Sequence, residues 1–497
     1  MLEKFKDIPL DKSSRTPLYM QLYTHLKDFV TGGILLPDTR LPSIRQLSAQ
    51  LGVNQVTVVS AYKELENTGF AYSRAGSGTF VANFLSSPPA DVNNTILDEL
   101  YQNDDFPLVS NDQIRVNEQT VNFASTSPTP DLFPVEDFKV ALNDVLERDK
   151  GNVFGYQDSQ GFHPLRECIA GILQQKSIGC TTESIQIISG AQQGIDVISK
   201  AFLNQGDYVV TESPTYTGAI AVFRSRGAQI ADVPLEKDGL NLNILEYNLK
   251  KYKPKLIYTI PSFQNPTGYS YSNNKRTQVV KLAEKYNAYI IEDDYVSDLD
   301  FEGKGFLPLK ALDHNNRVIY IKSFSKIFMP GLRLGFMIVP NNLRQNILDA
   351  KHTTDISTSG LIQRAFDLYI RKGFWDKHLN FMYGIYKDRY VSITKALDAS
   401  LPGGITYLKP GGGLNLWLDL PYGFQINSLL KAAASNHIVF APGRIFYSGS
   451  QPQNINNLRL SFAAVYNDQI EKGIETLCSI MGNMLEGRNR YTNIRIL

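Results

Sequence analysis

Hydrophobic and polar positions change texture twice along the chain. Within residues 1–83, Leu18, Leu22, Leu26 and Phe29 recur at helical spacing before Gly32 and Gly33. Apolar residues three and four apart share one face of a helix. Ser43 stands as an N-cap ahead of Ile44, Leu47 and Leu51, with Gly52 as the stop, and Asn54 caps a third helix carrying Val58, Tyr62 and Leu65. Two short helices joined by a Gly-containing turn predict a helix-turn-helix. "AYSRAGSGTFVA" then reads as a β-hairpin, a wing, around Gly76-Ser77-Gly78. Residues 84–120 are polar, contain paired prolines and hold no sustained period, which predicts a linker with one helical turn around "NTILDELYQ". From residue 121 short apolar runs ("SIQIIS", "DYVVTE", "PKLIYTI", "AYIIED", "RVIYIKS") alternate with longer helical patterns such as "RTQVVKLAEKY". That alternation predicts a largely parallel sheet covered on both faces. The expectation is a multidomain chain: a winged helix-turn-helix over 1–83, a linker over 84–120 and an α/β domain over 121–497.

Composition adjusts this picture little. The chain has 497 residues, enough for two or three domains, and 43% apolar with 20% charged residues fits a sizeable core. The net charge of +1 gives no chain-wide signature for nucleic acid. Residues 1–83 hold nine Lys/Arg against seven Asp/Glu, a balance of only +2. The three cysteines form no CxxC pair, so neither a disulfide framework nor a metal site is expected, and a cytoplasmic setting fits. No run resembles a signal peptide or a membrane span.

Helix-turn-helix geometry sets the N-terminal candidates. The second helix presents its N-terminal residues to base edges in the major groove. That nominates Asn54 and Gln55, which can read adenine bidentately, and Thr57, which can touch a thymine methyl. Ser43 and Arg45 open the preceding helix, where backbone N–H groups and a guanidinium suit phosphate, and Arg74 beside the wing tip suits phosphate or the minor groove. The plain alternative is a three-helix packing module that binds no DNA.

The large domain poses a chemical question in "SFSKIFMPGLRLGF", Ser323 to Phe336. Lys326 lies between small polar and apolar residues. A lysine amine is a useful nucleophile when its pKa is lowered or when it is held as an imine. A Schiff base to pyridoxal 5′-phosphate (PLP) meets that need, and this cofactor asks for further groups. Ser323 and Arg333 flank the lysine as phosphate ligands, and "IISGAQQGID" puts Gly190, Ala191 and Gln192 at a helix N-terminus that also suits phosphate. Asp293 in "IIEDDYVSD" is the partner for the ring nitrogen, and Tyr295 and Asn265 are donors to the phenolic oxygen. Tyr216 in "ESPTYTGA" is the stacking ring. Such groups gather at the C-terminal ends of parallel strands. Alone, each has a plainer reading as a turn, a loop acid or a surface cation; the ordered set is what carries the argument.

Two resemblances follow. "LPSIRQLSAQLGVNQVTVVSAYKELENTGF" with "GSGTFV" resembles the winged helix of GntR-type bacterial regulators; where that family often has arginine, this chain has Gln55, which bears on base preference. Residues 121–480 resemble fold-type I, class I aminotransferases, which implies that α/β fold with a smaller C-terminal α+β lobe. The resemblance further implies Lys326 as the Schiff-base lysine and Arg459 in "NNLRLSFA" as the ligand of an amino-acid carboxylate. It also implies that Tyr156, in "FGYQDSQGFHPLRECIA", reaches the cofactor phosphate of a neighbouring subunit, hence a homodimer. Together the order of motifs resembles the MocR/GabR-type regulators. That implies a PLP-dependent transcription regulator that binds double-stranded DNA, exchanges its heads across the dimer and senses an amino acid, an amine or PLP itself. The alternative is a working aminotransferase with an accessory head.

Overall fold

The structure, a computed structural model, describes residues 5, 8–11, 17–31, 34–35, 39–67, 70–74, 78–81, 120–449 and 456–492. The expected linker up to residue 119, its helical turn, Gly32-Gly33 and the wing tip at 75–77 lie outside them, as does the side chain of Arg74. The chain divides into two compact units, Met1–Asp105 and Phe106–Leu497.

The first unit contains α1 (Leu18–Thr31), α2 (Ile44–Leu51), α3 (Gln55–Asn67) and an antiparallel hairpin of β1 (Ala71–Arg74) and β2 (Gly78–Val81). Leu22, Leu26, Leu47, Val58, Tyr62 and Leu65 close its core, as their spacing predicts. Ile44 departs from that pattern: although it shares the face of Leu47 and Leu51, it is exposed at the first residue of α2. Ser43 caps α2 through a reciprocal box, its hydroxyl accepting from the Gln46 N–H and the Gln46 side chain accepting from the Ser43 N–H. Gly52 ends the helix in the left-handed conformation.

The second unit is built on an eight-stranded sheet of β4 (Ile185–Ile188), β5 (Tyr208–Ser213), β6 (Gln229–Glu236), β7 (Gly239–Leu240), β8 (Leu256–Thr259), β9 (Tyr289–Asp294), β10 (Val318–Ser323) and β11 (Gly335–Ile338), in the order 4-11-10-9-8-5-6-7. Strands 6, 5, 8, 9 and 10 run parallel, while β7 and β11 run against their neighbours. The sheet is thus largely parallel, as expected, with two reversed strands. The reason is loop length: a parallel return needs a crossover, usually helical, and neither the two residues before β7 nor the loop after β10 carries one. A four-stranded antiparallel sheet joins β12 (Thr406–Tyr407), β13 (Asn415–Asp419), β15 (Ala441–Pro442) and β16 (Asn457–Ser461), and β3 (Val121–Asn122) pairs with β14 (Ile438–Val439). This smaller lobe also carries the long helix Phe374–Ser400, packed on the C-terminal helix Asn467–Thr492. Among the described residues no helix is long and apolar enough to cross a membrane.

Candidate functional site

The C-terminal ends of β4, β8, β9 and β10 deliver most of the expected residues to one region. Gly190 follows β4 with a φ of 89° and caps the helix Ala191–Phe202. A Cβ added there would meet Arg333 Nη2 at 2.6 Å, and the same Nη2 donates to the Ser189 carbonyl at 2.9 Å. Arg333, itself left-handed at φ 52°, therefore lies across a helix N-terminus. Aligned N–H groups and a guanidinium at one point make a strong place for a phosphate. Ser323, at the end of β10, is buried, and its hydroxyl accepts from the Ser325 N–H at 3.2 Å.

Tyr216 precedes the helix Thr217–Ser225 and lies against Gly218, where a Cβ would meet its ring at 2.5 Å. Its hydroxyl donates to Gln192 Oε1 at 3.2 Å, and Gln192 Nε2 donates to the Gly218 carbonyl at 2.9 Å. A buried acid that the motifs did not nominate ties this segment to Asn265. Glu212 accepts from Tyr271, Thr259, the Ile260 N–H and Gln264, and Gln264 Nε2 also donates to the Pro214 carbonyl. Burial raises the Glu212 pKa.

Asp293 is 4% exposed. Its Oδ2 accepts from the Tyr258 hydroxyl at 2.7 Å, and its Oδ1 has no hydrogen-bond partner. Burial, with the nearby charges of Asp294 and Glu212, pushes its pKa up to about 6 against the pull of Tyr258 and Lys322. A buried carboxylate oxygen without a donor is costly, and a cationic ring N–H is the kind of group that relieves it. Tyr258 is missing from any motif, but it sits on the strand paired with β9.

Tyr295 departs from expectation. Its hydroxyl donates to the Phe263 carbonyl at 2.6 Å and accepts from Asn415 Nδ2 at 3.0 Å. A phenol has one proton, so in this arrangement Tyr295 does not offer it to a phenolic oxygen; the residue instead braces the turn that carries Asn265. Asn265 Oδ1 accepts from Arg459 Nη1 at 2.8 Å, both residues being buried, and Arg459 Nη2 donates to the Ala124 carbonyl. The Arg459 guanidinium also lies 5.0 Å from the Phe446 ring centroid. Arg459 is held in the middle of the small sheet, opposite Trp417 and Ala441.

Lys326 is half-buried in the turn after β10. Two residues of the long helix Phe374–Ser400 hold its backbone: the Tyr386 hydroxyl donates to the Lys326 carbonyl at 3.0 Å, and His378 Nε2 lies 2.9 Å from the Ile327 carbonyl. Burial lowers the His378 pKa, and a neutral ring with Nε2 protonated suits that bond. Tyr156 stands apart. It is 89% exposed, so a single chain leaves it outside the buried cluster.

The other face of the β9 end is charged and internally ion-paired. Asp294 pairs across strands with Lys322, Nζ to Oδ1 being 3.0 Å, and accepts from Tyr320 and Ser297. Lys322 also pairs with Asp298 at 2.6 Å, and Asp298 with Lys176. Burial works against the charged forms here, but Lys322 and Lys176 hold the two carboxyls below the ordinary range while Asp294 and Asp298 raise the Lys322 pKa. Among the described residues no group of three or more His, Cys, Asp or Glu could hold a metal ion.

In the first unit Ser43, Arg45, Asn54 and Gln55 are exposed and Thr57 is half-buried. Asn54 Oδ1 accepts from the Val56 N–H at 3.1 Å, so that oxygen serves the helix start. Arg74 ends β1 opposite Gly78.

Comparison with known proteins agrees with this division. Residues 118–477 match the family model described as aminotransferase class I and II, and residues 18–81 match bacterial regulatory proteins of the gntR family. The chain is 30% identical over 471 residues to the uncharacterized HTH-type transcriptional regulator YisV of Bacillus subtilis, covering 93% of this chain and 96% of that one. It is 28% identical to the probable rhizopine catabolism regulatory protein MocR of Rhizobium meliloti, covering 95% of each. Among solved structures it is similar to Pyrococcus horikoshii kynurenine aminotransferase, described with PMP, KYN and KYA, at 33% identity and a TM-score of 0.70, covering 74% of this chain and 92% of that one. A gntR-family head joined to an aminotransferase class I and II domain, with relatives of this kind along nearly its whole length, makes the chain a member of the MocR/GabR-type transcription regulators.

Proposed function

We propose that the large domain binds PLP and that an amino-acid or amine effector, meeting it there, changes how the heads bind DNA. The observation that carries the reading is Asp293, buried, fixed on one oxygen by Tyr258 and open on the other. Around it the donor set fits the cofactor. Asp293 would face the ring nitrogen, Tyr216 the ring, and Asn265 Nδ2 the phenolic oxygen. Arg333, Ser323 and the N–H groups of Ala191 and Gln192 would hold the phosphate.

When bound, PLP supplies an aldehyde that exchanges one primary amine for another. Lys326 supplies the resident amine, and its turn is fixed by Tyr386 and His378. Arg459, buried and oriented by Asn265, supplies a fixed cation for the carboxylate of an incoming amino acid. Linkage then requires that a ligand favouring one arrangement of the large domain alter DNA affinity, provided the heads are placed differently in the two arrangements. We further propose a homodimer with exchanged heads, in which Tyr156 reaches the partner's phosphate; its exposure beside the exposed Phe154 supports this.

The test is an absorbance titration of the PLP-loaded full chain against a panel of amino acids and amines, with DNA affinity read in parallel. A ligand that moves the spectrum and the affinity together is expected. Spectral change with constant affinity would break the sensing reading.

One observation favours a second reading, a working aminotransferase: over 74% of its length the chain is 33% identical to an aminotransferase described with substrates and products. Multiple turnovers with a keto acid at about 1–10³ s⁻¹ would establish it.

A further inference from the structure

The recognition helix carries exposed apolar side chains. Val58, Ala61, Tyr62 and Leu65 are the buried stripe of α3. At about 100° per residue, Val56 lies nearly opposite that stripe. Val56 is 66% exposed and Val59, one turn on, is 43% exposed. Lys63 shares the outer face and is exposed, as is Arg45 at the start of α2. β-Branched residues are slightly unfavourable in helices, so two exposed valines do nothing for the stability of α3 itself.

Their position defines what they meet. The first turn of the second helix faces base edges in the major groove. Among the features that tell the bases apart on those edges, the 5-methyl of thymine is the apolar one. Thr57, offered by the sequence for this contact, is half-buried about 100° away around the helix. Asn54 Oδ1 is occupied by the Val56 N–H. We propose that Val56, flanked by Val59, reads a thymine methyl in each half-site, with Arg45 and Lys63 on the flanking phosphates. The proposal rests on the DNA-binding reading of the head and names what that head selects.

The full chain is allowed to select duplexes from a randomised pool, and each thymine of a recovered half-site is replaced singly by deoxyuridine, which removes only the methyl. At one thymine per half-site the wild type is expected to lose about fourfold in affinity, the scale of one buried methyl. Val56→Ala is expected to bind the thymine duplex about as weakly and to stop distinguishing it from the deoxyuridine duplex. Val56→Thr, which keeps one methyl, retains part of the difference. Each comparison uses two duplexes on one protein preparation, so a misfolded fraction cancels. An unchanged ratio in Val56→Ala, or half-sites indifferent to every methyl, overturns the proposal. A chain that retains no duplex overturns the DNA-binding reading beneath it instead.

Discussion

Asp293 and Asp294 are chain neighbours at the end of one buried strand, and their surroundings are opposite. Asp294 is satisfied on both oxygens by Lys322, Tyr320 and Ser297, and its pKa is lowered. Asp293 has one donor and one open oxygen, and its pKa is pushed up to about 6. Strand alternation puts the two on different faces of the sheet. The contrast suggests how to separate structure from function among buried acids: Asp294, partnered on both oxygens, ties the strand ends together, and Asp293, with one oxygen open, is the acid we assign to a ligand.

The sharpest way to break the comparison is to remove the cation on the ion-paired face. Lys322→Met leaves Asp294 and Asp298 buried with less compensation. It is expected to cost about 3–5 kcal/mol in the unfolding transition of the large domain, followed by thermal or urea melting. If Lys322→Met melts like the wild type, that face is not the structural one.

On the other face the expected signature is pH dependence. Asp293 has a folded pKa of about 6 against an ordinary 3.8. The folded state therefore holds this proton over that window while the unfolded state has lost it. Stability of the cofactor-free protein falls as pH rises from about 4 to about 6, by on the order of 3 kcal/mol from this group. Asp293→Asn removes that decline, so the variant gains on the wild type across the window; parallel melting curves at each pH would contradict this. The same variant, folded, is expected to retain PLP about 10–150-fold less well, the range of one charge-assisted hydrogen bond. Equilibrium dialysis measures it.

The smallest effect belongs to Tyr258→Phe. Losing its bond to Asp293 costs about 1 kcal/mol. Because that bond lowers the Asp293 pKa, the variant's stability decline should extend to higher pH. A decline ending at the wild-type pH would mean that Tyr258 does not set the acid's charge.

Legibility in the sequence followed distance along the chain. Lys326, Arg333, Asn265 and Asp293 lie inside short motifs, so their order announced them. Tyr258 escaped because its partner is 35 residues away on the adjacent strand. Lys322 left a signal, an ionisable residue inside the apolar run "RVIYIKS", whose meaning needed the cross-strand register with Asp294. Tyr295 misled because motif spacing says nothing about where a hydroxyl proton goes, and Phe263 and Asn415 decide that. In the head, capping residues and core were legible from spacing. The outer face of α3 needed burial, which leaves Thr57 half-buried and Val56 exposed. The reversal of β11 came from the loop that holds Lys326 and Arg333, which carries no crossover helix.

The measurement closest to the central claim is the DNA affinity of the PLP-loaded full chain for a duplex it has itself selected. It is taken with and without each member of an amine and amino-acid panel, for wild type and Lys326→Ala. The account predicts that at least one ligand shifts the wild-type affinity and that Lys326→Ala, which still binds the duplex, does not respond. An equal response in both proteins, or no response in the wild type to PLP or any amine, would contradict it.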